Sequence, residues 1–147
     1  MGLFKIYELA SGTKADFVKT FGDNDNLRQQ ADIFWRNLEN TAPYLIAIGL
    51  VLSFFFARSY YTWYNNQPGR HYKPSHWFVG QLICFGTVCL GSFLMENLLL
   101  NLSLKGTMGI VINVSFFNAL IAFILYLIIS VIWCNIRKTN AYKYFKF

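Results

Sequence analysis

Apolar and polar positions fall into long blocks along this chain instead of alternating within short ones. From 77 to 95 the run WFVGQLICFGTVCLGSFLM carries no charge, and from 108 to 133 neither does MGIVINVSFFNALIAFILYLIISVIW. At about 1.5 Å per residue, each is long enough to cross a hydrocarbon core roughly 30 Å thick. A short polar break at 101–107 separates the two, so they read as membrane helices joined by a tight turn. A third apolar run covers 44–57 and is short for a crossing on its own. Extending it through Arg58, which can snorkel, brings in Tyr60, Tyr61, Trp63 and Tyr64 as an interfacial aromatic belt. Pro43 suits the first turn of that helix, where its missing N–H costs nothing. The pattern predicts an all-α integral membrane protein with three spans at about 43–64, 77–100 and 108–134.

Residues 1–42 have a different rhythm. Leu3, Phe4, Ile6, Tyr7, Leu9 and Ala10 make a short apolar stretch suited to lying at an interface or packing on a partner. Ser11-Gly12 breaks it. Thr13 followed by Asp16 resembles a capping box, and Phe17, Val18 and Phe21 give the next helix an apolar face. Asp25 or Asn26 is the expected cap of a third, amphipathic helix. Its apolar side is Leu27, Ala31, Phe34, Trp35 and Leu38, and it is expected to end near Asn40. That side serves either to pack on the chain's own membrane domain or to receive another subunit. The organisation expected is an amphipathic segment over 1–42, a three-helix membrane domain over 43–134 and a basic aromatic tail over 135–147.

Composition supports a membrane setting. The chain is 55% hydrophobic and only 14% charged, against roughly a quarter charged in a soluble domain. The net charge of +6 does not point to nucleic acid, because the bases flank apolar spans. Arg58, Arg70, Lys73, Arg137, Lys138, Lys143 and Lys146 suit an anionic headgroup layer. Tethering to a membrane likewise argues against RNA binding by the aromatic tail. Counting bases near the spans, three (Arg28, Arg36, Lys105) fall on the side of the N-terminus and second loop. Seven fall on the other side. The positive-inside rule then puts the C-terminus in the cytoplasm and the N-terminus outside, in a bacterial inner membrane. The start MGLFKIYELASG has no signal-peptide core, and Ile6 stands where a myristoylation signal wants Ser or Thr. Cys84, Cys89 and Cys134 lack metal or disulfide spacing and read as free thiols.

Candidate chemistry is sparse. Gly80, Cys84, Thr87 and Gly91 recur at helical spacing as a stripe of small residues, the kind of face on which membrane helices approach closely. Glu96 is an acid at or near membrane depth, which is costly and draws attention to function. Folding the hairpin about 103–105 puts it level with Asn113, so a Glu96–Asn113 contact is expected. Asn97, Asn101, Asn113 and Asn118 are the other intramembrane polar positions. Asn113 and Asn118 point about 140° apart at 100° per residue, which suits hydrogen-bond glue between helices better than a pore lining. His71 and His76 have no convergent third ligand nearby. No nucleophile–base pair, phosphate loop or carboxylate dyad appears, so no enzyme, metal or cofactor is expected.

The expectation is a small polytopic membrane subunit with a structural or assembly role in a larger membrane complex. A bacterial secretion or conjugation machine is a setting that its general character fits. Its partners would be anionic lipid and other membrane subunits or copies of itself. The alternative is a homo-oligomeric channel, with Glu96, Asn97 and Asn101 ringing one mouth.

Overall fold

A computed structural model describes residues 3–137, 139 and 145. Among these, every regular element is helical. A 3-10 turn (Leu3–Ile6) leads into two short helices, α1 (Glu8–Ser11) and α2 (Lys14–Lys19). Three long helices follow: α3 (Asp25–Ser59), α4 (Pro74–Leu99) and α5 (Thr107–Ile136). A π-helical turn, Tyr60–Tyr64, continues α3. All three long helices are long and apolar enough to cross a membrane, by length and composition. Packing divides the chain into two units. The first comprises Met1–Ala47 and Cys89–Asn118, the second Ile48–Val88 and Ala119–Phe147.

Local chemistry explains the element starts. The Thr13 hydroxyl oxygen accepts the Asp16 N–H at 3.2 Å and donates back to the Asp16 carboxylate at 2.6 Å, so the expected cap of α2 is present. The cap of α3 is Asn24, one residue before the expected position. Its Oδ1 accepts the Leu27 N–H at 3.2 Å. Gly106 takes φ +90 at the entry to α5, a left-handed conformation that any side chain would strain.

The expected break between the amphipathic helix and the first span does not occur. α3 runs straight through Pro43, which therefore sits inside a helix and not at its start. Glu39 loses the amide that would have bonded its carbonyl, a cost of about 3 kcal/mol in a free helix. Burial outweighs it here. Leu38, Thr41, Ala42 and Leu45 are all buried on the inward face around the proline, and Pro43 itself points outward. With its π turn this helix is 40 residues, about 60 Å at 1.5 Å per residue, twice the thickness of a hydrocarbon core. Its first half is the polar, amphipathic part.

In the first unit, that half of α3 buries Ala31, Phe34, Trp35 and Leu38, the face expected to be apolar. The chain's own N-terminal elements cover it. Phe4 packs edge-on to Trp35 at 5.9 Å, and Phe17 lies 5.6 Å from Phe34 and 5.9 Å from Trp35, between ring centroids. Lys14 and Arg36 both pair with Asp32 on the outer surface. Exposed ion pairs of this kind add little to stability, because water and salt screen them.

In the second unit, the π turn aims two tyrosines inward. Tyr60 and Tyr61 are buried, edge to face at 5.0 Å, and form a cluster with Cys134, Tyr72, Trp77, Trp133 and Phe145. The expected aromatic belt thus divides. Trp63 faces out, 74% exposed, and Tyr60 and Tyr61 become core.

Candidate functional site

The outstanding site is a buried polar network in the first unit. Asn118 lies on the inward face of α5 and makes three hydrogen bonds. Its Oδ1 accepts from the Tyr7 hydroxyl at 2.9 Å. Its Nδ2 donates to the Leu45 carbonyl at 3.0 Å and to Ser92 Oγ at 2.8 Å. One side chain therefore ties together α3, α4, α5 and the N-terminal segment. One turn away, the Ser115 hydroxyl donates to Glu96 Oε2 at 2.7 Å. Glu96 Oε1 is buried without a hydrogen-bond partner among the described residues. Burial, and then the nearby Glu96 carboxyl, push the Tyr7 phenol well above its ordinary range, so it stays a proton donor to Asn118.

The expected Glu96–Asn113 contact is replaced by Glu96–Ser115. Asn113 faces outward on α5, and Ser115 is buried. Level along the hairpin was a sound guide to depth, but helical phase decides which residue faces inward. Of the other polar positions, Asn97 Nδ2 donates to the Phe93 backbone carbonyl of its own helix at 2.8 Å. Asn101 is exposed, and its side-chain oxygen accepts the Ser103 N–H at 3.1 Å in the loop after α4.

The small-residue stripe also resolves differently. Cys84 is fully buried, Gly80 and Gly91 are half-buried, and Thr87 is exposed. The inward line of α4 is instead Gln81, Cys84, Val88, Ser92 and Glu96. It is more polar than small. Gln81 and Ser92, three helical turns apart in the charge-free run, with Glu96 one turn further on, were the available signal. The matching line on α5 is Ser115, Asn118, Ala122, Tyr126 and Ser130.

These lines bond inside the second unit too. Ser53 donates to the Ala122 carbonyl at 3.1 Å, Gln81 to the Phe123 carbonyl at 3.0 Å, and the Trp77 indole N–H to Ser130 at 3.1 Å. The Cys84 thiol lies 4.0 Å from Ser53 Oγ. All three cysteines are free thiols, as expected from their spacing. Gly80 is where α4 comes close to a buried ring. A Cβ there would stand 3.0 Å from the Tyr126 hydroxyl and 3.7 Å from Tyr60.

Polar and basic groups gather outside the second unit's core. Arg70 lies over the Tyr64 ring at 4.2 Å, and Tyr64 and His76 share a hydrogen bond at 3.0 Å, beside Lys73 and His71. Arg58 and Arg137 line a separate hollow. Lys138, Lys143 and Lys146 lie outside the described residues. Residues 48–88 and 119–147 hold seven Lys and Arg and no Asp or Glu; the rest of the chain holds six bases and all seven acids. Among the described residues, no group of three His, Cys, Asp or Glu is placed to hold a metal. Set against protein-family models, curated proteins and solved structures, the chain matches none of them.

Proposed function

We propose that this chain is a structural membrane subunit, contributing three packed helices to a larger assembly. The observation that carries the reading is how polar groups in the long helices are sorted. Ser53, Gln81, Ser92, Glu96, Ser115, Asn118 and Ser130 are buried and bond within the chain. Within the apolar runs 44–57, 77–95 and 108–133, the exposed residues are apolar apart from Thr87 and Asn113. Polar side chains used this way hold helices together. On α4 the outward face is Val79, Ile83, Leu90 and Leu94, interrupted by a shallow step where Thr87 is exposed and Gly86 has open space at its Cβ. Such a step admits another helix at close range, and no described residue fills it.

Cross-linking through Thr87→Cys in native membranes tests the proposal. The expected product is an adduct heavier than the 17.1 kDa chain, with a mass that tells a second copy from a different subunit. A monodisperse monomer in mild detergent, with no adduct from membranes, would overturn it. A ring of copies that passes ions in liposomes would replace it with the channel reading.

The proposed setting is a bacterial inner-membrane machine of the secretion or conjugation kind. The proposed orientation has the N-terminus outside and the C-terminus in the cytoplasm. The seven bases and absent acids of residues 48–88 and 119–147 support it. An impermeant maleimide applied to intact cells should label Asp23→Cys and spare His71→Cys, both exposed positions. The opposite pattern would reverse the orientation.

A further inference from the structure

We propose that the second unit binds one anionic phospholipid, with its phosphate between Arg58 and Arg137 and an acyl chain along Ile129 and Ile132. The proposal is independent of the assembly reading. Two adjoining hollows carry it. One, of about 520 Å³, is lined by Arg58, Thr62, Asn66 and Arg137 together with Phe54 and Trp133. The other, of about 400 Å³, shares Phe54, Trp133 and Arg137 and adds Ile129, Ile132 and Ile136. The second is almost wholly apolar, and the first holds the two guanidiniums.

Both helices change character in the same order. Along α3 and its π turn, Phe54, Arg58, Thr62 and Asn66 step by one turn from apolar to cationic to neutral polar. Along α5, Ile129, Ile132, Trp133 and Ile136 are followed by Arg137. An occupant must therefore carry an anion at one end and a hydrocarbon at the other. Free phosphate satisfies only the first hollow, and a neutral lipid only the second. Arginine forks bind phosphate oxygens through paired N–H donors, and Trp133 sits where an indole meets the headgroup layer.

Charge gives the second argument. Two cations at one hollow repel unless an anion joins them, and residues 48–88 and 119–147 contain no Asp or Glu to serve. Among the described residues the ion pairs are those of Asp32 with Lys14 and Arg36, in the first unit. Among the described residues, neither Arg58 nor Arg137 has an acidic partner, and an anion from the headgroup layer would supply the counter-charge.

The test is a lipid titration of the full chain in a neutral detergent, read by native mass spectrometry. One phosphatidylglycerol should be retained per chain in preference to phosphatidylcholine. Arg58→Gln and Arg137→Gln should each weaken retention about tenfold, the scale of one lost charge-assisted hydrogen bond. Arg137→Lys should fall between, because it keeps the charge and loses the fork. Ile132→Asn should weaken the lipid without creating affinity for inorganic phosphate. Arg70→Gln, in the same unit but outside the hollow, should leave retention unchanged. Helical content by circular dichroism verifies that each variant is folded. The proposal fails if the double arginine variant binds as wild type does. It also fails if Arg70→Gln loses as much as Arg58→Gln, which would mean diffuse attraction. Equal competition by inorganic phosphate would show an anion site with no lipid specificity and overturn it as well.

Discussion

Replacing Asn118 with leucine is expected to destabilise the protein by about 2–4 kcal/mol, while the same change at Asn113 shifts stability by no more than about 0.5 kcal/mol. Asn118 makes three hydrogen bonds inside the first unit, to Tyr7, Leu45 and Ser92. Bonds between membrane helices contribute on average about 0.6 kcal/mol each and at most about 1.7. Leucine also strands buried partners, each costing about 1–3 kcal/mol when no water replaces the lost bond. Asn113 is on the outward face of the same helix and loses nothing comparable. The measurement is reversible unfolding in detergent micelles, followed by circular dichroism. The Asn118→Leu chain should in addition be cut faster by protease at Ser11–Thr13, because Tyr7 has lost its anchor. Equal losses at the two asparagines would refute the network as a source of stability.

Gly80→Leu should be far more damaging than Gly86→Leu, costing about 1–3 kcal/mol through overpacking. A side chain at position 80 meets the Tyr126 hydroxyl at 3.0 Å and the Tyr60 ring at 3.7 Å. Both rings are packed on other aromatics. Tyr126 is fully buried with Trp77 at 5.7 Å, and Tyr60 is held by Tyr61 at 5.0 Å. Gly86→Leu is the matched control, since a Cβ there meets nothing within 4 Å. Both changes gain the same helix propensity, about 0.8–1 kcal/mol for removing a glycine, so the difference between them isolates packing. Comparing the two variants' thermal midpoints in one detergent decides the matter. Similar midpoints would mean that the approach of α4 to Tyr126 is not tight.

The three long apolar helices were legible because apolar runs of that length have few other uses, and α4 and α5 end within a few residues of the expected positions. The Thr13–Asp16 cap and the face of Ala31, Phe34, Trp35 and Leu38 were legible because each depends on neighbours within a few turns. The continuity of α3 was not. A proline preceded by polar residues reads as a first turn, and only the burial of Leu38, Thr41, Ala42 and Leu45 keeps the helix going through it. The choice between Asn113 and Ser115 as partner of Glu96 depended on rotation about α5, which depth alone does not fix. The stripe of small residues on α4 gives no sign of Gln81 and Ser92, because the inward face is held by hydrogen bonds as well as close approach. Tyr7 read as an interfacial aromatic, since its partner is 111 positions away.

That separation has a consequence for synthesis. Tyr7 leaves the ribosome early, and its acceptor Asn118 is made 111 residues later, an interval of about 6–22 s at 5–20 residues per second. During that time Phe4 and Phe17 can already pack on Trp35, but the Tyr7 hydroxyl has no Asn118 to bond. Locking of Tyr7 into the polar network is thus among the last steps of maturation. A nascent chain arrested before α5 would hold its first residues by aromatic packing alone, a conformation that quality-control proteases could tell apart from the finished protein.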